Sequence, residues 1–185
     1  MKLRKQQNGG IMEIVCLDLE GVLVPEIWIA FAEETGIPEL KRTTRDEPDY
    51  DKLMKYRIGI LKEHGLGLKE IQETIEKIDP LPGAKEFLDQ LRSLTQVIIV
   101  TAPFCQFAGP LMKKLGYPTI FCNSLVVAPD GEITDFKMRC EKSKYTTVKA
   151  LQSIGYDTIA SGASHNDLGM IEASTAGCLF RTTDA

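Results

Sequence analysis

Asp18 and Glu20 stand two residues apart at the end of an apolar run, VCLDLEGVLV. Carboxylates cost free energy to desolvate unless something pairs with them, so two of them closing a strand-like segment call for a task. Three more polar groups follow in the same kind of place. Thr101 ends the run QVIIV, Lys144 lies in the segment before the β-prone run at 158–161, and Asn166 and Asp167 sit in the loop after it. In an open α/β sheet, ligands bind beyond the carboxyl ends of the strands, where all of these would meet. A carboxylate nucleophile, a hydroxyl, a lysine and a further acid are the parts of phosphoryl transfer through an aspartyl phosphate. Asp18 would attack phosphorus. Mg²⁺ would offset the repulsion between two anions. Thr101 and Lys144 would take charge on the phosphoryl oxygens. Glu20 would protonate the leaving oxygen and then deprotonate the acceptor.

The elements that must position these residues can be read from periodicity. Strands are expected at 14–17, 96–100, 119–122, 158–161 and 177–180, with a hairpin around Pro129-Asp-Gly131. Helices are expected at 27–34 (closed by Gly36), 50–63, 68–78, 84–94, 107–115, 144–153 and 167–173. Strands alternating with helices imply a parallel sheet with right-handed crossovers. The helical block 25–80 interrupts that alternation and reads as a cap inserted over the strand ends, with Asp79-Pro-Leu-Pro-Gly83 as its hinge.

Composition narrows the function classes. Of 185 residues, 43% are hydrophobic and 26% charged, which marks a globular chain rather than a disordered one. The net charge of -4 argues against a general nucleic-acid binder. Five scattered cysteines without a CxxC pair fit a reducing, cytoplasmic compartment. No apolar run reaches the length of a membrane span. The polar start, residues 1–11, reads as a disordered tail ahead of Met12.

With these motifs in order, the chain resembles the haloacid dehalogenase superfamily and, within it, the phosphoserine phosphatases. CLDLEGVLVPEIWIAFAEETGI and TTRDEPDYDKLMKYRIGIL are similar to the opening and the cap of the subgroup that joins phosphoserine phosphatase with phosphoserine:homoserine phosphotransferase activity. The resemblance runs from Met12 to about Phe180. It implies a three-layer, Rossmann-like parallel sheet (core 12–24 and 81–185) under a small helical cap (25–80). It implies a small phosphorylated amino acid as substrate and Mg²⁺ as cofactor. Asp18 would be nucleophile and metal ligand. Glu20 would be general acid/base, with its backbone carbonyl on the metal. Thr101 and Lys144 would complete the catalytic set. Arg57 is placed for the substrate carboxylate, Glu26 for its ammonium, and Asn166 for substrate contact. Three features depart from the family. Its fourth motif carries a metal-binding Asp where this chain has Ala163, which leaves Asp167 as the remaining candidate ligand in that loop. Its second motif reads Ser-Asp-Thr-Phe where this chain has Thr101-Ala-Pro-Phe104. The chain stops at Ala185, where family members continue over the last strand; left uncovered, that strand would favour a homodimer.

Each residue also has a plainer reading. Lys142 rivals Lys144 for the lysine role, and Arg57 among Lys52, Lys55 and Lys62 could belong to a salt-bridged surface helix. Asn166 and Asp167 could cap the helix that begins there. His64 reads as a helix-end residue and Trp28 as packing between cap and core. Two other functions stay in view: a relative that binds a phosphorylated ligand without turnover, and a receiver-type domain. The receiver is disfavoured by the first-strand acid and the helical insert.

Overall fold

The computed structural model describes residues 12–180; the expected N-terminal tail and the last five residues lie outside them. Strand β1 (Met12–Leu17) shows why this sequence makes a sandwiched sheet. Its residues alternate between two apolar clusters, Val15 and Leu17 joining one and Ile14 and Cys16 the other. Side chains on a strand alternate by face, and here both faces are buried, as parallel sheets require.

After β1 come helices α1 (Ile27–Thr35), α2 (Tyr50–Glu63) and α3 (Leu68–Lys77), with a short 3-10 helix at Pro38–Lys41. Then follow α4 (Ala84–Leu94), β2 (Gln96–Phe104), α5 (Cys105–Lys114), β3 (Thr119–Val127), β4 (Ile133–Lys137), α6 (Ser143–Ser153), β5 (Tyr156–Gly162), α7 (Leu168–Ala173) and β6 (Ala176–Leu179). The sheet order is β4-β3-β2-β1-β5-β6. All pairs are parallel except β3 with β4, the predicted hairpin. The α/β fold expected from the sequence is the one observed.

Because β1 lies between β2 and β5, the three chain segments that carry the polar motifs end side by side. Helix ends follow local chemistry. Gly36 closes α1 at φ 70°, a left-handed conformation that favours glycine, and its N–H reaches Ala32. The Asp49 carboxylate caps α2 by accepting from the N–H groups of Asp51 and Lys52.

Two elements differ from the reading above. Strand β2 continues past Thr101 through Pro103 to Phe104. Proline cannot donate to a ladder, and the pairing with β3 slips between Val100 and Phe104. The side chain of buried Asn123 bridges the slip, donating to the Ala102 carbonyl at 2.8 Å and accepting from the Arg139 N–H at 3.0 Å. Strand β3 also runs unbroken into the hairpin. The hairpin tip meets the turn between α2 and α3, where the Leu68 N–H donates to the Gly131 carbonyl at 3.0 Å. A Cβ placed on Gly67 would lie 2.6 Å from that carbonyl oxygen, so only glycine allows this approach. Lys62 and Glu132 pair across the same junction.

Candidate active site

At the carboxyl end of β1, the Asp18 N–H continues the ladder by donating to the Ser161 carbonyl of β5 at 2.9 Å. The Asp18 side chain is buried. Its Oδ1 accepts from the Leu19 N–H at 2.8 Å, and its Oδ2 lies 2.9 Å from Lys144 Nζ. Lys144 also reaches Asp167 Oδ1 at 2.5 Å, so one buried ammonium joins two buried carboxylates. The geometry selects Lys144 over Lys142, which is exposed.

Electrostatics follows from this crowding. Burial pushes the Asp18 carboxyl up to about 6, against the pull of Lys144. Burial works against the Lys144 charge, but Asp18 and Asp167 outweigh it and hold its pKa above the usual value. Glu20 is pushed up to about 8, first by burial and then by the neighbouring charge of Glu26. Its Oε1 accepts from the Ile27 N–H at 2.7 Å, which opposes the rise only in part. Near neutral pH, Glu20 therefore carries a proton while Asp18 is mostly ionised, a pairing suited to an acid beside a nucleophile.

The loop linking these acids is tight. Leu23 and Val24 both donate to the Leu19 carbonyl, and Gly21 takes φ 74°. A Cβ on Gly21 would come within 2.9 Å of the Ala163 Cβ. Ala163 thus sits against the Asp18–Gly21 loop, beside the two acids.

A cavity of about 280 Å³ opens above these groups. Asp18, Glu20, Glu26, Arg57, Lys144 and Asn166 line it, so six of the eight predicted site residues meet in one space. Thr101 and Asp167 stand behind its wall. Thr101 is 2% exposed, and among the described residues its hydroxyl and the Arg57 Nε are buried side-chain atoms without a hydrogen-bond partner. Buried polar groups are rarely left unpaired, and these two lie at the site, Thr101 behind the wall and Arg57 on it. Arg57 is 6% exposed, not a surface residue. Its guanidinium lies 4.6 Å from the centre of the Trp28 ring and donates to the Arg42 carbonyl at 2.7 Å, while burial lowers its pKa. Glu26 is exposed at the rim. Asn166 donates to the Thr44 hydroxyl at 3.3 Å, joining the β5–α7 loop to the segment before α2.

Asp167 is more enclosed than its expected role as a metal ligand requires. Its Oδ2 accepts from the N–H groups of Ala163 and Ser164 and from the Ser164 hydroxyl, while Oδ1 takes Lys144. A direct metal bond would displace one of these donors. As oriented here, Asp167 holds Lys144 and the 163–164 turn.

Sequence reasoning missed several lining residues: Thr43, Thr44, Arg45 and Tyr50. The Thr43–Asp46 turn carried a local signal, since the Asp46 carboxylate accepts from both the N–H and the hydroxyl of Thr43. Its place over the cavity did not. His64 ends α2 and Trp28 packs edge-on to Phe31 and Phe107, both in the structural roles expected.

Comparison with known proteins places the chain among relatives. It is 51% identical over 173 residues to phosphoserine phosphatase ThrH of Pseudomonas aeruginosa, covering 94% of this chain and 84% of that protein. It is 50% identical to a phosphoserine phosphatase of Pseudomonas syringae over 94% of this chain and 73% of the relative. No family model matches. A substrate-bound phosphoserine phosphatase complex superposes with a TM-score of 0.79, at 24% identity, over 94% of this chain and 88% of the other. The structure of a phospho-aspartyl intermediate analogue of phosphoserine phosphatase gives the same values. At that identity the likeness concerns the fold.

Proposed function

Since the chain belongs to the phosphoserine phosphatase family, we propose that it cleaves phosphoserine through an aspartyl phosphate on Asp18. The observation that carries this reading is geometric: Asp18, held by Lys144 at 2.9 Å, and Glu20 two residues on line one cavity. Asp18 attacks phosphorus, forming a phosphorus–oxygen bond as the bond to the serine oxygen breaks. Glu20 gives its proton to that oxygen, and serine leaves. The Glu20 carboxylate then takes a proton from water as the water oxygen attacks phosphorus. Asp18 is released and orthophosphate forms. An alcohol such as homoserine in place of water would accept the phosphoryl group by the same step. The Thr101 hydroxyl, without another partner, donates to a phosphoryl oxygen. Arg57 binds the substrate carboxylate, Glu26 its ammonium, and Asn166 closes the site against Thr44. Asp167 keeps Lys144 in place. The helices between β1 and α4 act as the cap, the core being 12–24 and 81–180.

Mg²⁺ fits this donor set as a lightly held ion. The Asp18 carboxylate and the Glu20 main-chain carbonyl would hold it, with water and substrate phosphate filling the rest, a pattern usual for this metal. Bound there, it supplies a Lewis acid that draws charge from the phosphoryl oxygens. Ala163 contributes no ligand at the position where the family resemblance implies a metal-binding Asp, so this reading carries a low affinity for Mg²⁺ and a reduced activity.

The test is Mg²⁺-dependent phosphate release from phosphoserine, absent in Asp18→Asn. Ala163→Asp should raise the rate at low Mg²⁺ and lower the Mg²⁺ concentration needed. A second reading, a ligand-binding relative without turnover, is favoured by one observation. Both Asp167 oxygens are already taken, by Lys144 and by the Ala163 and Ser164 donors. It gains if neither the wild type nor Ala163→Asp releases phosphate.

A further inference from the structure

Beside the catalytic cavity lies a second one, of about 270 Å³. Tyr50, Ala102, Lys144 and Asn166 line both, so the two share a wall. The wall is lightly fastened. The Tyr50 hydroxyl donates to the Ala102 carbonyl at 3.4 Å and Asn166 to the Thr44 hydroxyl at 3.3 Å, both near the long limit for a hydrogen bond. On its far side the second cavity is bounded by Met138 and Tyr145, which are 37% and 45% exposed, and by Gly169.

The charges of the two spaces differ. Asp18, Glu20 and Glu26 face Arg45, Arg57 and Lys144 in the first, which suits a zwitterion carrying a phosphate. The second has Lys142 and Lys144 and no carboxylate. These lysines open α6, whose first turn carries no acidic residue, so the helix end adds positive potential. After hydrolysis, orthophosphate lies against Asp18 and Lys144. Leaving through the first cavity takes it past the rim carboxylate of Glu26, a group the second cavity lacks. Leaving past Lys142 meets only cations.

We propose that orthophosphate leaves through this second cavity, between Tyr50 and Asn166, while the amino acid enters and leaves by the first. The proposal rests on the phosphatase reading above and adds a separate path for the inorganic product. A residue on a path, unlike one in a binding site, changes entry and exit rates together and leaves the affinity alone.

Trp28 is the single tryptophan of the chain and lines the catalytic cavity, so its fluorescence reports anion binding there. Stopped-flow mixing of the full chain with orthophosphate in excess Mg²⁺ gives both rate constants. Gly169→Leu narrows the path: a Cβ at that position meets only the Tyr145 Cβ, at an ordinary 3.7 Å. Gly169→Ala controls for the loss of glycine, and Tyr145→Ala widens the opening. Gly169→Leu should slow association and dissociation together by about tenfold with Kd constant within about twofold. Tyr145→Ala should speed both, and the kcat/KM for phosphoserine should hold in each. Rates indifferent to both substitutions, or a Kd that moves with one rate alone, overturn the route. Should Gly169→Leu fail to fold, Tyr145→Ala decides the matter. A wild type that hydrolyses phosphoserine while failing this test refutes the route only; one that does not hydrolyse it refutes the phosphatase reading and the route with it.

Discussion

Replacing Asp167 with asparagine keeps the side chain's volume and removes its charge. Four donors converge on the carboxylate: the Lys144 ammonium on Oδ1, and two N–H groups and the Ser164 hydroxyl on Oδ2. An amide has one acceptor oxygen and one NH₂. Turned one way, its NH₂ faces Lys144; turned the other, it faces the Ala163 and Ser164 N–H groups. Either orientation sets donor against donor in a fully buried place. Lys144 also keeps only one of its two anionic partners. Breaking a buried ion pair costs about 3–5 kcal/mol, which for a chain of this length lowers Tm by roughly 6–20 °C. Differential scanning calorimetry of metal-free wild type and Asp167→Asn measures this directly. Activity should fall about 10- to 100-fold, because Lys144 and the 163–164 turn lose their anchor. The pKa of Asp18 should fall as well, since the charge on Asp167 helps to raise it. A variant melting within about 2 °C of wild type, which corresponds to roughly 1 kcal/mol or less, would refute the assigned network.

Gly21→Ala should cost about 1–2 kcal/mol for the left-handed backbone alone, and more because the new Cβ would press on Ala163; urea denaturation measures it. Arg57→Lys loses the buried Nε and the flat face over Trp28, so KM for phosphoserine should rise about 10- to 100-fold, matching a charged hydrogen bond of about 1.5–3 kcal/mol, with kcat less affected. Glu20 predicts a pH dependence. Its folded pKa of about 8 lies above the ordinary glutamate value of 4.5, so the folded state holds the extra proton between those limits. Its contribution is full at low pH and declines as pH rises towards 8, at no more than about 1.4 kcal/mol per pH unit. Melting curves in EDTA should show this decline between about pH 6 and 8, above the Asp18 range, for wild type and not for Glu20→Gln; equal slopes in that window would count against the assignment.

The sheet and its helices were legible because their signals are local. The apolar runs VCL and QVIIV, the helix-closing Gly36 and the Pro-Asp-Gly turn each act within a few residues. The acids of the first motif were legible for a related reason, since charge ending an apolar run is a local anomaly. What escaped depends on distance along the chain. The extension of β2 past Thr101 through Pro103 is supported by Asn123, twenty residues on, whose side chain takes up the Ala102 carbonyl. Whether Lys142 or Lys144 meets Asp18 depended on where α6 begins, with Lys142 left-handed at φ 45° just before it. The burial of Arg57 came from Trp28 and the Arg42 carbonyl, which no helical pattern in α2 announces. The engagement of Asp167 with the backbone of its own turn was a local feature that a search for ligand types passed over.

The contact between Gly67 and Gly131 carries a lesson for remodelling this scaffold. Two main chains touch there without intervening side chains, one from the helical insertion and one from the ribbon that leaves the far edge of the sheet. Lengthening either turn by a residue would prise the pair apart, so the two segments must be exchanged together. A chimera that grafts a foreign helical insertion onto this core while keeping the native ribbon would inherit a mismatched seam, however well the grafted helices cover the strands.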